Sequence, residues 1–211
     1  MKETTNYYNH TREEVAFFVP STIKTILDIG CGKGTFLKYA KKKTEAETWG
    51  IEMVIEIAEK AKNEVDNILI GKVEDAVNLL PNNYFDCITF NDVLEHLSEP
   101  TEVLKMIRPK LTKNGIIIAS IPNVRYIYNL YDLIIKKDWE YKDAGILDST
   151  HIRFFTKISM KRMFEKAGYK LIKQVGINKI TSWKFRFFNL TTFRFFSDTK
   201  YLQYVSIASK D

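Results

Sequence analysis

Three glycines spaced two apart, Gly30, Gly32 and Gly34, follow an apolar run and precede a helical pattern, with acidic Asp28 just ahead of them. Such a turn lets backbone approach a ligand closely, because a Cβ would occupy the ligand's space. The dinucleotide fingerprint G-x-G-x-x-G would need glycine at Thr35, so the G-x-G-x-G spacing favours a ligand without a pyrophosphate. Glu52 stands at about the separation expected of an acid that accepts hydrogen bonds from ribose hydroxyls. The two features together point to a ribose-bearing cofactor. Proton chemistry has its own candidates. An imidazole titrates near ~6.5 and can take a proton at neutral pH, and His96 and His151 both follow strand ends. His151 lies among polar Asp148, Ser149, Thr150 and Arg153, where it reads as a general base or as a hydrogen bond that holds a loop. His96 follows apolar Val93-Leu94 and reads as a second base or as a hydrogen bond beneath a pocket. Asp92 can orient a substrate, or act as base if apolar surroundings raise its pKa. Cys31 and Cys87 lack zinc-like spacing, and no metal site is expected.

The elements that must position these groups follow from alternating strand-length apolar runs and helix-period segments, an order that implies a parallel sheet. Strands are expected at 25–29, 48–52, 67–70, 85–90 and 116–121, with helices at 35–43, 54–63 and 99–109. A short leading helix at 11–19 is closed by Pro20. From 122 to 156 the pattern becomes irregular and aromatic, which exceeds a tight connection and suggests a substrate lid. A helix at 157–167, stopped by Gly168, and strands at 169–175 and 202–209 complete the chain. Between those strands, 178–200 forms a basic aromatic insertion carrying Trp183-Lys184-Phe185-Arg186-Phe187-Phe188 and Phe193-Arg194-Phe195-Phe196. That mixture suits a membrane interface or a lipid-linked substrate, and equally core packing or a dimer contact. One domain spanning 1–211 is expected, with 1–24 as an N-terminal cap.

The run Ile26-Leu27-Asp28-Ile29-Gly30-Cys31-Gly32-Lys33-Gly34 resembles motif I of class I S-adenosylmethionine-dependent methyltransferases. Tyr84-Phe85-Asp86-Cys87-Ile88-Thr89-Phe90-Asn91-Asp92-Val93-Leu94-Glu95-His96-Leu97 resembles their strand-four motif. The resemblance implies a Rossmann-like, doubly wound α/β fold with a mostly parallel seven-stranded sheet, an N-terminal helix and a lid inserted after strand five. It implies that Asp28, Gly30 and Gly32 line the methionine end of S-adenosylmethionine, that Glu52 binds the ribose, and that Val73 and Glu74 flank the adenine. Asn91 then offers backbone near the amino group, and Cys31, Gly34 and Met53 complete the cofactor shell. Relatives often carry Asp where this chain has Lys72, which passes the adenine amino contact to Glu74 or Asp75. Asn6-Tyr7-Tyr8 with Arg12 and Pro20, and the segment Gly145 to Thr156, are similar to bacterial methyltransferases that accompany surface-polysaccharide glycosyltransferases. That subgroup implies a sugar-like acceptor for S-adenosylmethionine, with S-adenosylhomocysteine as product, and Tyr8, Asn123, Tyr126 and Arg153 on the substrate side. A hydroxyl acceptor benefits from a base, His151 first, then Asp92 or His96.

The 211 residues, 45% hydrophobic and 27% charged, suffice for a full core. The polar opening stretch lacks a signal-peptide run and no segment approaches the ~20 apolar residues of a membrane span, so a cytoplasmic monomer or homodimer is expected. A net charge of +6 suits an anionic partner, or simply a solvated lysine-rich surface. An N-methyltransferase for a small phosphoamine and an RNA methyltransferase are the rival readings. Against nucleic acid, Asn91-Asp92-Val93-Leu94 stands where base-amine methyltransferases resemble one another in Asn-Pro-Pro-aromatic. Thr35 disfavours a nicotinamide oxidoreductase, and a non-catalytic cofactor-binding protein is the remaining alternative.

Overall fold

A computed structural model describes residues 11–210. Seven strands form one sheet: β1 (Thr25–Ile29), β2 (Glu47–Glu52), β3 (Asn67–Ile70), β4 (Phe85–Asn91), β5 (Leu111–Pro122), β6 (Lys170–Lys179) and β7 (Tyr201–Ser209). Their order is β3-β2-β1-β4-β5-β7-β6; the pairs β5–β7 and β7–β6 are antiparallel and the others parallel. The order reverses between β1 and β4, and a ligand crevice opens beyond the carboxyl ends of the strands at such a switch point. The doubly wound, seven-stranded expectation therefore holds.

Alternation along the strands supplies both faces. Leu27 and Ile29 join one cluster while Ile26 joins the other; on β5, Ile117, Ala119 and Ile121 face the first and Ile118 the second. The first face is covered by α5 (Pro100–Ile107) and α7 (Lys157–Lys166), through residues such as Val103, Leu104, Met160 and Phe164. The second is covered by α1 (Glu13–Ala16) and α2 (Thr35–Thr44), through Val15, Phe36 and Leu37, and by Ala61 of α3 (Ile55–Ala61).

Three elements differ from expectation. β5 begins at Leu111, which pairs with Phe85 across a bulge before Cys87; polar Lys113 and Asn114 hide the start of that strand in the sequence. The leading helix is one turn, and Arg12 takes a left-handed φ of 49° at its start. The segment after β5 holds a short α6 (Ile127–Tyr131) running into a π-type turn over Asp132–Lys136, and the basic aromatic stretch contains α8 (Trp183–Thr191). Residues 178 and 179 belong to β6. The two irregular segments are tied together by an Arg125–Asp198 ion pair at 2.7 Å and by the Ile127 amide donating to the Thr199 carbonyl.

Candidate active site

β1 ends in the glycine turn, where Gly30, Gly32 and Gly34 adopt φ of 68°, 55° and 78°. These left-handed values favour glycine whatever the surrounding space. Packing adds to the requirement at two of them: a Cβ would stand 2.7 Å from Val93 Cγ2 at Gly30 and 2.8 Å from Val65 Cγ1 at Gly34. Gly34 is thus fixed by the close approach of the chain after α3. The backbone of Gly30 and Cys31 donates to the Ile51 carbonyl, which sets the turn against β2. Cys31 is buried, and burial with nearby Asp28 and Glu52 pushes its thiol up, so it packs as a small apolar side chain.

Glu52 at the end of β2 is buried, with Oε2 accepting from the Gly32 amide and Oε1 from the Val54 amide, both at 2.9 Å. An ionised carboxylate offers about four lone-pair directions, so both oxygens retain an acceptor position. Asp28 is 2% exposed, and its Oδ1 accepts from Thr89 Oγ1 at 2.6 Å and Asn91 Nδ2 at 3.0 Å. Burial pushes its carboxyl up to about 7, against the pull of those two hydrogen bonds. Asn91 Oδ1 is a buried acceptor with no partner among the described residues. An orphaned acceptor beside a buried carboxylate suits a cationic amino group, and a fixed carboxylate with spare lone pairs suits a ribose diol. The residues therefore fit S-adenosylmethionine. Val73 is buried and Glu74 half-buried at the start of α4 (Val73–Ala76), while Met53 is largely exposed.

Asp92, at a left-handed φ of 54°, follows β4 and is held from three sides. Arg12 Nη1 pairs with Oδ2 at 2.6 Å, and Ser120 Oγ and Gln203 Nε2 each donate to Oδ1 at 3.0 Å. A carboxylate so engaged is an organising charge, which weighs against service as a base. Arg12 also donates to Ser120 Oγ at 2.8 Å. Its part in the site was not legible, since 108 residues separate those partners.

Beyond Asp92 a short 3-10 turn, Leu94–His96, presents Glu95 and His96 to the segment after β5, where His151 comes to meet them. The amides of Ile152 and Arg153 donate to the Glu95 carbonyl at 3.1 and 3.0 Å, which clamps the two segments together. The imidazoles of His96 and His151 meet edge to face with centroids 4.7 Å apart. His151 Nδ1 lies 2.9 Å from the Ile146 carbonyl, so that nitrogen carries the proton and Nε2 faces Glu95 Oε1 at 3.9 Å. Glu95 is 1% exposed and neither carboxylate oxygen has a hydrogen-bond partner among the described residues. Burial and then the charge of Asp92 push its carboxyl well above the usual range. Burial, followed by the charge of His151, lowers His96. Asp148 lies beneath; burial acts to raise its carboxyl, but two hydrogen bonds from Thr150 outweigh it and hold it low.

Sequence reasoning thus named His151 and His96, which come together, and missed Glu95. The signal for Glu95 was a carboxylate directly after the apolar pair Val93-Leu94. Asn123 is fully buried, with Nδ2 donating to the carbonyls of Asp198 and Tyr201 and Oδ1 accepting from the Arg125 amide. Its amide staples the two irregular segments. Arg153 donates to the Ser98 carbonyl and pairs with Glu99, so it spans from the clamp to the start of α5. Tyr126 stacks edge to face on Tyr128. Tyr8 lies outside the described residues. Two surface depressions, one around Glu99, Arg153 and Arg162 and one around Glu13, Phe17 and Lys43, share no lining residue with the glycine turn or the histidine pair.

Comparison with known proteins identifies the family. A family model described as a methyltransferase domain matches residues 4–174. A malonyl-[acyl-carrier protein] O-methyltransferase of Halalkalibacterium halodurans is 28% identical over 150 residues, 67% of this chain and 54% of that protein, so the match spans about half the relative's length. A ubiquinone biosynthesis O-methyltransferase of Coxiella burnetii is 27% identical over 74% of this chain and 67% of its own. The crystal structure of a SAM-dependent methyltransferase from Archaeoglobus fulgidus superposes with a TM-score of 0.70 at 21% identity, covering 98% of this chain and 94% of that one. The chain therefore belongs to the methyltransferase-domain family, and it shares the Rossmann-like fold of that solved structure.

Proposed function

We propose that the protein methylates an oxygen of a small, polar, sugar-like acceptor. The observation that carries this reading is the meeting of Glu95, His96 and His151 at the β4–β5 side of the switch point, next to the residues that suit the cofactor. When bound, S-adenosylmethionine supplies an electrophilic methyl group on sulfur and is left as S-adenosylhomocysteine. Asp28 and Asn91 hold its amino end, Glu52 its ribose, and Val73 and Glu74 flank its adenine. Asp92, fixed by Arg12, Ser120 and Gln203, keeps the pocket wall in register. A hydroxyl acceptor must lose its proton, and it does so at the histidine pair, where His151 presents the lone pair of Nε2. Residues 122–156 act as a lid that aligns the acceptor and excludes water, which displacement at carbon requires.

An oxygen acceptor is supported by the two relatives, both described as O-methyltransferases. A sugar-like acceptor is supported by the resemblance of Gly145 to Thr156 to methyltransferases of surface-polysaccharide pathways. The test is a screen of nucleotide sugars and small phosphorylated amines for S-adenosylhomocysteine release, with His151→Ala alongside. The expected outcome is turnover on a hydroxyl compound, lowered ~10²–10⁴-fold in the variant at unchanged cofactor affinity. Turnover on amines alone, or a His151→Ala enzyme as fast as the wild type, overturns the reading.

A further inference from the structure

We infer that Glu95, His96 and His151 form a binding site for one divalent transition-metal ion. Their ligand atoms, one from each residue, all lie within 4.8 Å of one another. Ligands on a tetrahedral ion with ~2.1 Å bonds stand about 3.4 Å apart, so the cluster needs only a modest contraction to close on an ion. Glu95 makes the strongest case. A fully buried carboxylate with both oxygens unpartnered carries a heavy desolvation penalty, and a cation at that point offsets it.

The backbone around both imidazoles suits the same ion. A metal-bound histidine characteristically donates its other ring N–H to a carbonyl, which fixes the tautomer. His151 Nδ1 meets the Ile146 carbonyl at 2.9 Å, and His96 Nδ1 meets the Thr150 carbonyl at 3.2 Å. Thr150 Oγ1 lies equally close to His96 Nδ1, and because it donates to Asp148 at 2.6 Å it too accepts from that nitrogen. His151 therefore keeps the lone pair on Nε2. Carboxylates Asp92 and Asp148 supply further negative charge to this neighbourhood. Two imidazoles and one carboxylate suit zinc, manganese, iron or cobalt in the divalent state, and disfavour magnesium and calcium, which prefer an all-oxygen shell. Three protein ligands leave an open position. The 54 residues between His96 and His151 explain why no ligand spacing is visible in the sequence.

With the ion bound the Nε2 lone pair of His151 is taken, so the ion's open position, in place of that lone pair, would activate the acceptor hydroxyl. Only this role rests on the proposed acceptor chemistry, and binding of the ion is independent of it. The experiment strips the full-length protein with a chelator, then titrates it with Co²⁺ by visible absorbance and with Zn²⁺ by calorimetry. One ion per chain is expected, with affinity falling in Glu95→Gln and His151→Ala by more than the ~10–100-fold typical of outer-shell changes. Circular dichroism checks the fold of each variant, and His96→Gln, at a half-exposed position, replaces any that does not fold. No stoichiometric uptake by the wild type, or wild-type affinity in the folded variants, overturns the site. Full-rate methylation of a hydroxyl acceptor by stripped protein removes the ion from the reaction and leaves the acceptor reading intact. Stoichiometric cobalt with turnover on amines alone does the reverse.

Discussion

Two carboxylates at the cofactor end sit in opposite circumstances. Glu52 is held by two backbone amides, whereas burial pushes Asp28 up to about 7. In the ligand-free protein the folded state keeps the Asp28 proton after the unfolded chain has released it. Stability from that group is therefore full below 3.8 and declines as pH rises toward about 7. A cationic amino group beside Asp28 favours the ionised form and reverses the preference. The affinity advantage of wild type over Asp28→Asn for S-adenosylmethionine should accordingly grow as pH rises through about 7. Calorimetry from pH ~6 to ~8 measures it, and because the ligand's own amine titrates equally in both proteins, a constant ratio would exclude Asp28 from the site.

Among the elements, α7 shows how a local signal carries structural weight. Thr156 Oγ1 accepts from the Ser159 amide at 3.1 Å, and Ser159 Oγ accepts from the Thr156 amide at 2.9 Å, a reciprocal capping box. Phe155, one residue before the cap, bridges to Asn123, so the cap also anchors the end of the segment after β5. Thr156→Ala should cost about 0.5–2 kcal/mol and lower the thermal midpoint by a few degrees, ~2–4 °C per kcal/mol for a chain of this size. An unchanged midpoint by calorimetry would show that the helix start is held by packing of Met160 and Phe164 alone. The strands were legible because alternation and apolar runs mark them. The turn Leu94–His96 and the helices α6 and α8 were not, since short or aromatic segments lack enough helical period to separate them from loops.

Over the whole molecule, a net charge of +6 coincides with an unusually apolar patch of surface. In the stretch read as an insertion only Phe185 is buried among the large apolar residues, while Trp183, Phe187, Leu190 and Phe195 are mostly exposed and Phe193 is 95% exposed. Lys184, Arg186 and Arg194 are exposed among them. Core packing therefore accounts for little of this stretch. No helix among the described residues is long and apolar enough to cross a membrane. A basic aromatic patch of this kind is suited to lie at an interface. The protein should sediment with vesicles rich in anionic lipid, less so as salt rises, and Phe193→Ser with Phe195→Ser should weaken the binding. Equal recovery with neutral and anionic vesicles would rule out the contact.

What the sequence determined by itself were the features encoded by neighbours in the chain. The glycine turn follows from backbone conformations that only glycine adopts freely, and the strands, with Glu52 at the end of β2, follow from alternation and apolar runs. Tertiary structure decided what depends on pairs far apart in the chain. It set Asp92 in the grip of Arg12, Ser120 and Gln203, and tied Asn123 to the Asp198 and Tyr201 carbonyls. It also brought His151 across to Glu95, whose buried carboxyl has no hydrogen-bond partner among the described residues. Desolvation and long-range contact set the chemistry of a side chain, and neither is written in its immediate neighbours.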